Sequence, residues 1–234
     1  MPTTITMVCL ADSRKIGAHC IAGKIVEGEN KGQWIRPISA IDKCELANRD
    51  ICYSNGQMPK LLDIVAITVK EHAPIHHQQE NWIIDKSVPW RKEGELPVAQ
   101  LSGLCDNMPT LIVDGKSNAQ PILWVNGFSS TFGNNDKIWT AYVHQNIKSS
   151  LLLIQPQRML YKVGKETFKR KVRAAFNFMG TAYIIAVTDN SAEEHYLAKP
   201  DGIYEENSSP VYYCVSLAED YKGYCYKLIA GIMS

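Results

Sequence analysis

The sequence lacks long apolar runs and a strong excess of either charge. Lysine and arginine total 25 and aspartate and glutamate total 24, which gives a formal net charge of +1. Any anion-binding surface must therefore come from local segregation of charge. No segment approaches the ~20 apolar residues that span a bilayer, and no basic and then apolar leader opens the chain. We expect a cytoplasmic protein with no membrane partner.

The common signatures of metal sites and catalytic centres are also missing. The 7 cysteines include no Cys-x-x-Cys pair, and buried reduced thiols such as Cys9 are the expected state. Neither a Gly-x-Ser-x-Gly elbow, a phosphate loop nor a dinucleotide-binding glycine pattern occurs. His72, His76 and His77 lie near acids, but Pro74 breaks the helix that a His-x-x-x-His zinc pair needs. We predict no metal and no cofactor, and the residues specify no reaction.

The sequence does contain many short β-like runs separated by turn residues. Residues 61–70 place Val65, Ile67 and Val69 on one face, as in a half-buried strand. Further runs in the second half also read as strands, at 150–155, 157–163, 169–178, 181–187, 211–217 and 224–233. Short helices fit only at 38–50 and 97–104. Strands at ~8–12-residue spacing with few helices favour small barrels or a sandwich.

A polar, irregular stretch divides these runs into two groups. We therefore predict a mostly β chain with two small barrels. The N-terminal barrel takes residues 1–105, an irregular connecting region takes 106–149, and the C-terminal barrel takes 150–234.

The predicted strand at 169–178 segregates its charge. At period two, Lys169, Lys171 and Arg173 share one face, while apolar side chains such as Val172 and Phe176 share the other. Such a cationic stripe can follow a phosphate backbone by charge attraction and counterion release. The alternative is an edge strand whose lysines discourage pairing with another chain.

A second basic cluster lies near the N-terminus, where Arg14, Lys15 and Arg36 accompany Trp34. Trp34 and Arg36 alternate to the same side of a short strand. An aromatic plane beside a guanidinium suits an unpaired base and its phosphate. A tryptophan that simply anchors the core is the alternative. Tyr224 and Tyr226 similarly share one face of the last strand, where they either stack bases or pack in the core.

Three segments, in this order, resemble the dual OB-domain family of prokaryotic proteins. The first comprises CLADSRK at 9–15, CIAG at 20–23 and WIRP at 34–37; the second spans 173–189; the third comprises VSL at 215–217 and GYCYKL at 223–228. The resemblance covers nearly the whole chain. It implies two OB-like barrels, a nucleic-acid-binding role and a setting in genome defence or mobile elements.

Both lines of reasoning favour a binding module for single-stranded or distorted DNA or RNA. The candidate residues are Arg14, Lys15, Trp34, Arg36, Lys169, Lys171, Arg173, Tyr224 and Tyr226. Two alternatives stay open. One is an enzyme or sensor for nucleotides or modified bases, with Asp12 or Asp189 in a cleft between the barrels. The other is an adaptor that recruits another protein of the same system, since OB-like barrels serve all three uses.

Overall fold

A computed structural model describes residues 2–15, 18–40, 46–108, 111, 136–166, 168–205 and 210–234. Within them the chain is mostly β, with two sheets and a few short helices. The first sheet contains β1 (Thr3–Lys15), β2 (Ala18–Ile25), β3 (Trp34–Ile38), β4 (Asp63–His72), β5 (Asn81–Ile84) and β6 (Arg91–Glu95). Its strands follow the order β1-β2-β3-β5-β4, and β4 pairs back with β1 to close a five-stranded barrel. β6 extends the sheet beside β4.

The second sheet has eight strands. They are β7 (Lys137–Trp139), β8 (Leu151–Ile154), β9 (Gln157–Glu166), β10 (Lys169–Phe178), β11 (Thr181–Val187), β12 (Gly202–Glu205), β13 (Tyr212–Tyr221) and β14 (Tyr224–Met233). The path runs β12-β9-β10-β11-β14-β13-β8, and β7 pairs with β14. β7 therefore joins the second sheet although it lies in the predicted connecting region.

The second sheet repeats the strand order of the first barrel. β9-β10-β11-β14-β13 corresponds to β1-β2-β3-β5-β4, and the third and fifth strands are parallel in both units. The hydroxyls of Tyr161 on β9 and Tyr213 on β13 meet in the core at 2.7 Å, which brings the ends of this path together. The prediction of a mostly β fold with two OB-like units is confirmed.

Of the three α-helices that the structure describes, two lie between the third and fourth barrel strands of their units. α1 (Asn48–Ile51) lies between β3 and β4, α2 (Thr140–Asn146) follows β7, and α3 (Asn190–Leu197) lies between β11 and β13. A 3-10 helix spans Val98–Leu104 and confirms the helix expected there. The boundaries at residues 105 and 150 remain a proposal. No helix in the described ranges is long and apolar enough to cross a membrane.

Two tight turns set the register of the second sheet. Met179 and Gly180 both have positive φ between β10 and β11, and Lys222 and Gly223 do between β13 and β14. Two-residue turns with positive φ at both positions match the right-handed twist of the strands they join. The predicted strands at 169–178, 181–187 and 224–233 coincide with β10, β11 and β14 because these turns punctuate the alternating pattern.

Each unit has its own core, and a third apolar cluster joins them. Ile21, Ile35 and Trp90 are buried in the first core, and Phe176 and Tyr183 in the second. The joining cluster includes Val8, Leu10 and Ala22 from the first barrel and Leu153, Cys214 and Met233 from the second sheet. The six described cysteines are free thiols, of which Cys9, Cys214 and Cys225 are buried as expected and the other three are half-buried.

Candidate nucleic-acid interface

The outer face of the β9–β10 hairpin carries a group of lysines. Lys169 lies opposite Glu166, Lys171 opposite Gly164, and Arg173 opposite Lys162 in the antiparallel register. Directly opposed residues project to the same side of a sheet. Lys162, Lys169 and Lys171 are exposed, while Val172 and Ala174 on the other face are buried. The hairpin thus has the cationic outer face that period two predicts.

Arg173 differs from the lysines because two carboxylates hold it. Its Nε and Nη2 donate to Glu166 at 2.5 and 3.1 Å, and its Nη1 donates to Asp136 at 3.0 Å. The hydrogen bonds from Arg173 are the main reason why the pKa of Glu166 is lowered. Burial opposes the charge of Arg173, but the two carboxylates still raise its pKa. The guanidinium is therefore charged but already bound.

Four aromatic side chains project from the other end of the same sheet. In register, Trp139 lies opposite Tyr224, and Tyr224 lies opposite Tyr221 across the β13–β14 turn. Tyr226 is two residues along from Tyr224, so all four share one face. Trp139 is 44% exposed, Tyr221 60% and Tyr224 37%, whereas Tyr226 is half-buried. We name Trp139, Tyr221, Tyr224 and Tyr226 the aromatic platform.

Two lysines accompany the platform. The Lys137 ammonium lies 4.1 Å from the ring centre of Tyr224 and 6.0 Å from that of Tyr226. The Lys222 ammonium lies 5.3 Å from the ring centre of Tyr221. A cation over an aromatic face is attracted by the ring quadrupole, which fixes both groups in place.

The hairpin lysines and the aromatic platform lie on one continuous face. Arg173 on β10 pairs with Ala186 on β11, and Ala186 pairs with Leu228 on β14. Leu228 shares its side of β14 with Tyr226 and Tyr224, because burial alternates along this part of the strand. The register shift between Leu217 and Asp220 places its extra residue on β13 and leaves the alternation of β14 intact. The outer face of the second sheet therefore runs from cations at one end to aromatic rings at the other.

The structure places Trp34 and Arg36 between the two units. Arg36 is only 3% exposed, and its Nη2 donates to Ser150 Oγ at 2.7 Å and lies 3.3 Å from Glu80 Oε1. The indole of Trp34 donates to Asp106 at 3.1 Å. Both side chains share one face, as predicted, but residues leading into the second sheet cover that face. Arg36 is not accessible to a phosphate in this arrangement.

Further polar contacts hold the two units together on this side of the first barrel. Lys24 donates to Asp106 at 2.6 Å, and Asp106 accepts from the backbone N–H of Leu153 on β8 at 2.7 Å. In the β4–β5 loop, the buried His77 contacts the Leu217 carbonyl at 3.2 Å through Nε2. Burial is the main cause of the lowered pKa of His77. The outer face of β2 and β3 is consequently an interface between the two units.

The remaining candidates lie at the β1–β2 end of the first barrel. Arg14 and Lys15 belong to β1, but their side chains are outside the described part of the chain. Asp12 contacts His19 Nδ1 at 2.7 Å. Asp189 accepts from the N–H groups of Ala192 and Ile232 and so caps α3; burial raises its pKa. The described residues contain no group of acids, histidines and cysteines suited to a metal ion.

Sequence reasoning finds half of the aromatic platform and misses Trp139 and Tyr221. Trp139 belongs to a three-residue strand inside a stretch that is otherwise polar. Tyr221 directly precedes the Lys222-Gly223 turn, and a two-residue hairpin there pairs it with Tyr224. The Lys222-Gly223 turn is the sequence feature that could have placed Tyr221 opposite Tyr224.

Comparison with known proteins gives one informative match. The family model described as "Dual OB-containing domain" matches residues 5–232. A solved structure described as "Structure of murine DNA binding protein bound with ds DNA" aligns over 100% of this chain and 96% of its own. Its identity is 9% and its TM-score 0.32, a likeness too low to support any argument about this chain. No curated protein matches significantly.

Proposed function

Because the chain belongs to the dual OB-containing domain family, we propose that it binds nucleic acid through the outer face of its second barrel. We further propose that it prefers unpaired strands. The observation that carries this proposal is the aromatic platform, which lies on the same sheet face as the lysines of the β9–β10 hairpin.

The position of this face within the barrel supports the proposal. OB barrels bind oligonucleotides on the face of their second and third strands and with the loops that join strands 1–2 and 4–5. In the second barrel these strands are β10 and β11. The strand 1–2 loop joins β9 to β10, beside Lys169, and the strand 4–5 loop is the Lys222-Gly223 turn. Cations and aromatic rings therefore occupy the expected positions.

The same reasoning argues against the first barrel as the binding surface. Its second and third strands are β2 and β3, whose outer face holds Lys24, Trp34 and Arg36. These three side chains bond to Asp106 and Ser150 instead of facing solvent. We infer that the first barrel supports the second, which leaves one OB face for the ligand.

The aromatic platform favours unpaired bases over a duplex. Lysines attract any phosphate backbone, paired or not, and release its counterions. A ring can stack only on a base whose face is free, and each such contact contributes ~1–3 kcal/mol. Bases in a duplex already stack on one another, so the platform adds affinity only for a single strand.

Fluorescence anisotropy tests the proposal. The probes are fluorescein-labelled single-stranded DNA and RNA of about 20 nucleotides, longer than the ~4–16 that one OB fold covers, and the matching duplexes. We expect tighter binding to the single strands. Lys169→Glu with Lys171→Glu should weaken binding at least about tenfold and lower the salt slope by about 1.4, for two lost phosphate contacts.

The matched control reverses two exposed lysines of the first barrel, Lys31→Glu with Lys60→Glu. This variant has the same net charge as the test variant, and its affinity should stay within about threefold of the parent because salt screens distant exposed charges. Equal losses in both variants would show diffuse attraction to the whole molecule and would contradict the assigned face.

A further inference from the structure

Two carboxylates lie within the proposed binding face, where a phosphate-binding surface would be expected to carry cations. Glu166, at the end of β9, holds Arg173 through two nitrogens and lies 3.9 Å from the Lys171 ammonium. Asp136, next to the Lys137 that lies over the ring of Tyr224, holds the third nitrogen. These five side chains bridge the cationic and the aromatic parts of the face.

All three guanidinium nitrogens of Arg173 are therefore engaged by carboxylates. Bidentate arginine–carboxylate pairs are among the strongest hydrogen-bonded pairs, and phosphate is the other ligand that this geometry accepts. The side chains of Arg173, Glu166 and Asp136 are 24%, 33% and 14% exposed, so the cluster is reachable from solvent. A phosphate and the Glu166 carboxylate would compete for the same donors.

We propose that Glu166 and Asp136 occupy the donors of Arg173 that would otherwise bind a phosphate, and thereby lower the affinity of this face for nucleic acid. We call this arrangement the electrostatic restraint. The inference rests on the proposed function, since it concerns the regulation of that same face. A backbone phosphate that displaces Glu166 would gain the two hydrogen bonds that Glu166 gives up, and the released carboxylate would turn to solvent.

The backbones of both acids are held by the second sheet. The Asp136 carbonyl accepts from the N–H of Lys227 on β14 at 2.7 Å, which fixes Asp136 beside the sheet. Glu166 lies opposite Lys169 in the β9–β10 ladder. β14 therefore positions the backbone of Asp136, and the β9–β10 ladder positions that of Glu166, so the sheet itself places both acids near Arg173.

The test is a gain of binding. In Glu166→Gln, the neutral amide frees Arg173, and affinity for a fluorescein-labelled oligodeoxythymidylate should rise about tenfold, the effect of one charge-assisted hydrogen bond. The salt slope should steepen by about 0.7, for one added contact with a single strand. The gain should disappear in Glu166→Gln with Arg173→Gln, because the freed donor is then missing.

Glu93→Gln is the matched control. Glu93 holds the exposed Arg91 of β6 at 2.5 Å, so this change also removes one negative charge and frees one arginine, but away from the second barrel. Circular-dichroism melting of every variant checks folding. A gain with Glu93→Gln as large as with Glu166→Gln, or a gain that survives loss of Arg173, would overturn the restraint.

The outcomes also separate the restraint from the proposed function. If the parent protein binds and Glu166→Gln binds no better, the restraint is wrong and the binding face stands. If Glu166→Gln binds and the parent does not, the restraint and the binding face both stand, and the restraint suppresses binding by the parent. If neither binds even at low salt, both are overturned.

Discussion

Gly231 on β14 lies directly against Leu10 on β1. A β-carbon at position 231 would come within 2.0 Å of the Leu10 carbonyl oxygen and 3.0 Å of its carbon. The contact joins the two barrels backbone to backbone. It occurs on the C-terminal half of β14, whereas Tyr224 and Tyr226 lie exposed or half-buried on the N-terminal half. One strand thus forms both the joint and part of the proposed binding face.

Gly231→Ala should therefore separate the barrels locally. The added methyl group meets backbone atoms that no rotamer change can move, and overpacking of this kind costs about 1–3 kcal/mol or more in free energy of unfolding. Urea unfolding measures the loss. Gly94→Ala on β6, where a β-carbon would meet nothing within 4 Å, should change stability by less than about 0.5 kcal/mol.

Arg36 offers a test of the difference between a joining and a binding residue. Its pair with Glu80 is buried on both sides, and removal of one partner from a buried pair costs about 3–5 kcal/mol. Arg36→Met should lower the free energy of unfolding by that amount. Under conditions where the variant is still folded, its affinity for single strands should equal that of the parent. A selective loss of affinity with unchanged stability would restore Arg36 to the binding surface.

The pH dependence of stability should report on His77. Burial lowers its pKa below the usual 6.5, so the unfolded chain binds the proton first and stability falls as the pH drops below about 6.5. Arg36 adds to this effect and Glu80 opposes it, with His144 as the other nearby titrating group. His77 can contribute at most about 1.4 kcal/mol per pH unit.

Urea unfolding between pH 7 and pH 5 measures this slope. His77→Gln removes the titrating group, so its stability should fall less steeply over the same range. Equal slopes in the parent and the variant would show that His77 is not the group responsible.

The aromatic platform predicts a specific pattern of losses. Tyr224→Ala should weaken binding to single strands about 5- to 150-fold, which corresponds to ~1–3 kcal/mol for one stacked base, while duplex binding changes little. Tyr224→Phe should bind like the parent because the ring is retained. Anisotropy with the two probe types measures both effects, and a loss that is the same for duplex and single strand would argue against stacking.

The sequence predicts the strands better than their surroundings. β10 ends at one glycine turn, β11 begins after it and β14 begins after another, so these bounds follow from the local sequence pattern. β6 is charged along most of its length, and α3 begins with the Asp189 cap but has only a weak apolar face. The sequence pattern therefore predicts neither element. The local sequence pattern does not indicate which strands lie at the edge of a sheet.

The candidate site shows the same limit. Alternation places Trp34 and Arg36 on one face, and the structure agrees. Asp106 and Ser150 cover that face. Asp106 lies 72 residues from Trp34 along the chain, and Ser150 lies 114 residues from Arg36. No local sequence pattern predicts a contact between residues so far apart along the chain. Arg173 is similar, since Asp136 reaches it from 37 residues away and changes a free cation into a bound one.

Cross-linking tests the central claim most directly, because it shows which residues touch the ligand. Ultraviolet irradiation of the protein with single-stranded oligodeoxythymidylate, followed by peptide mass spectrometry, should place the adducts on Trp139, Tyr221 or Tyr224. Adducts confined to the first barrel, or none while binding is demonstrated, would contradict the assignment of the second barrel's outer face.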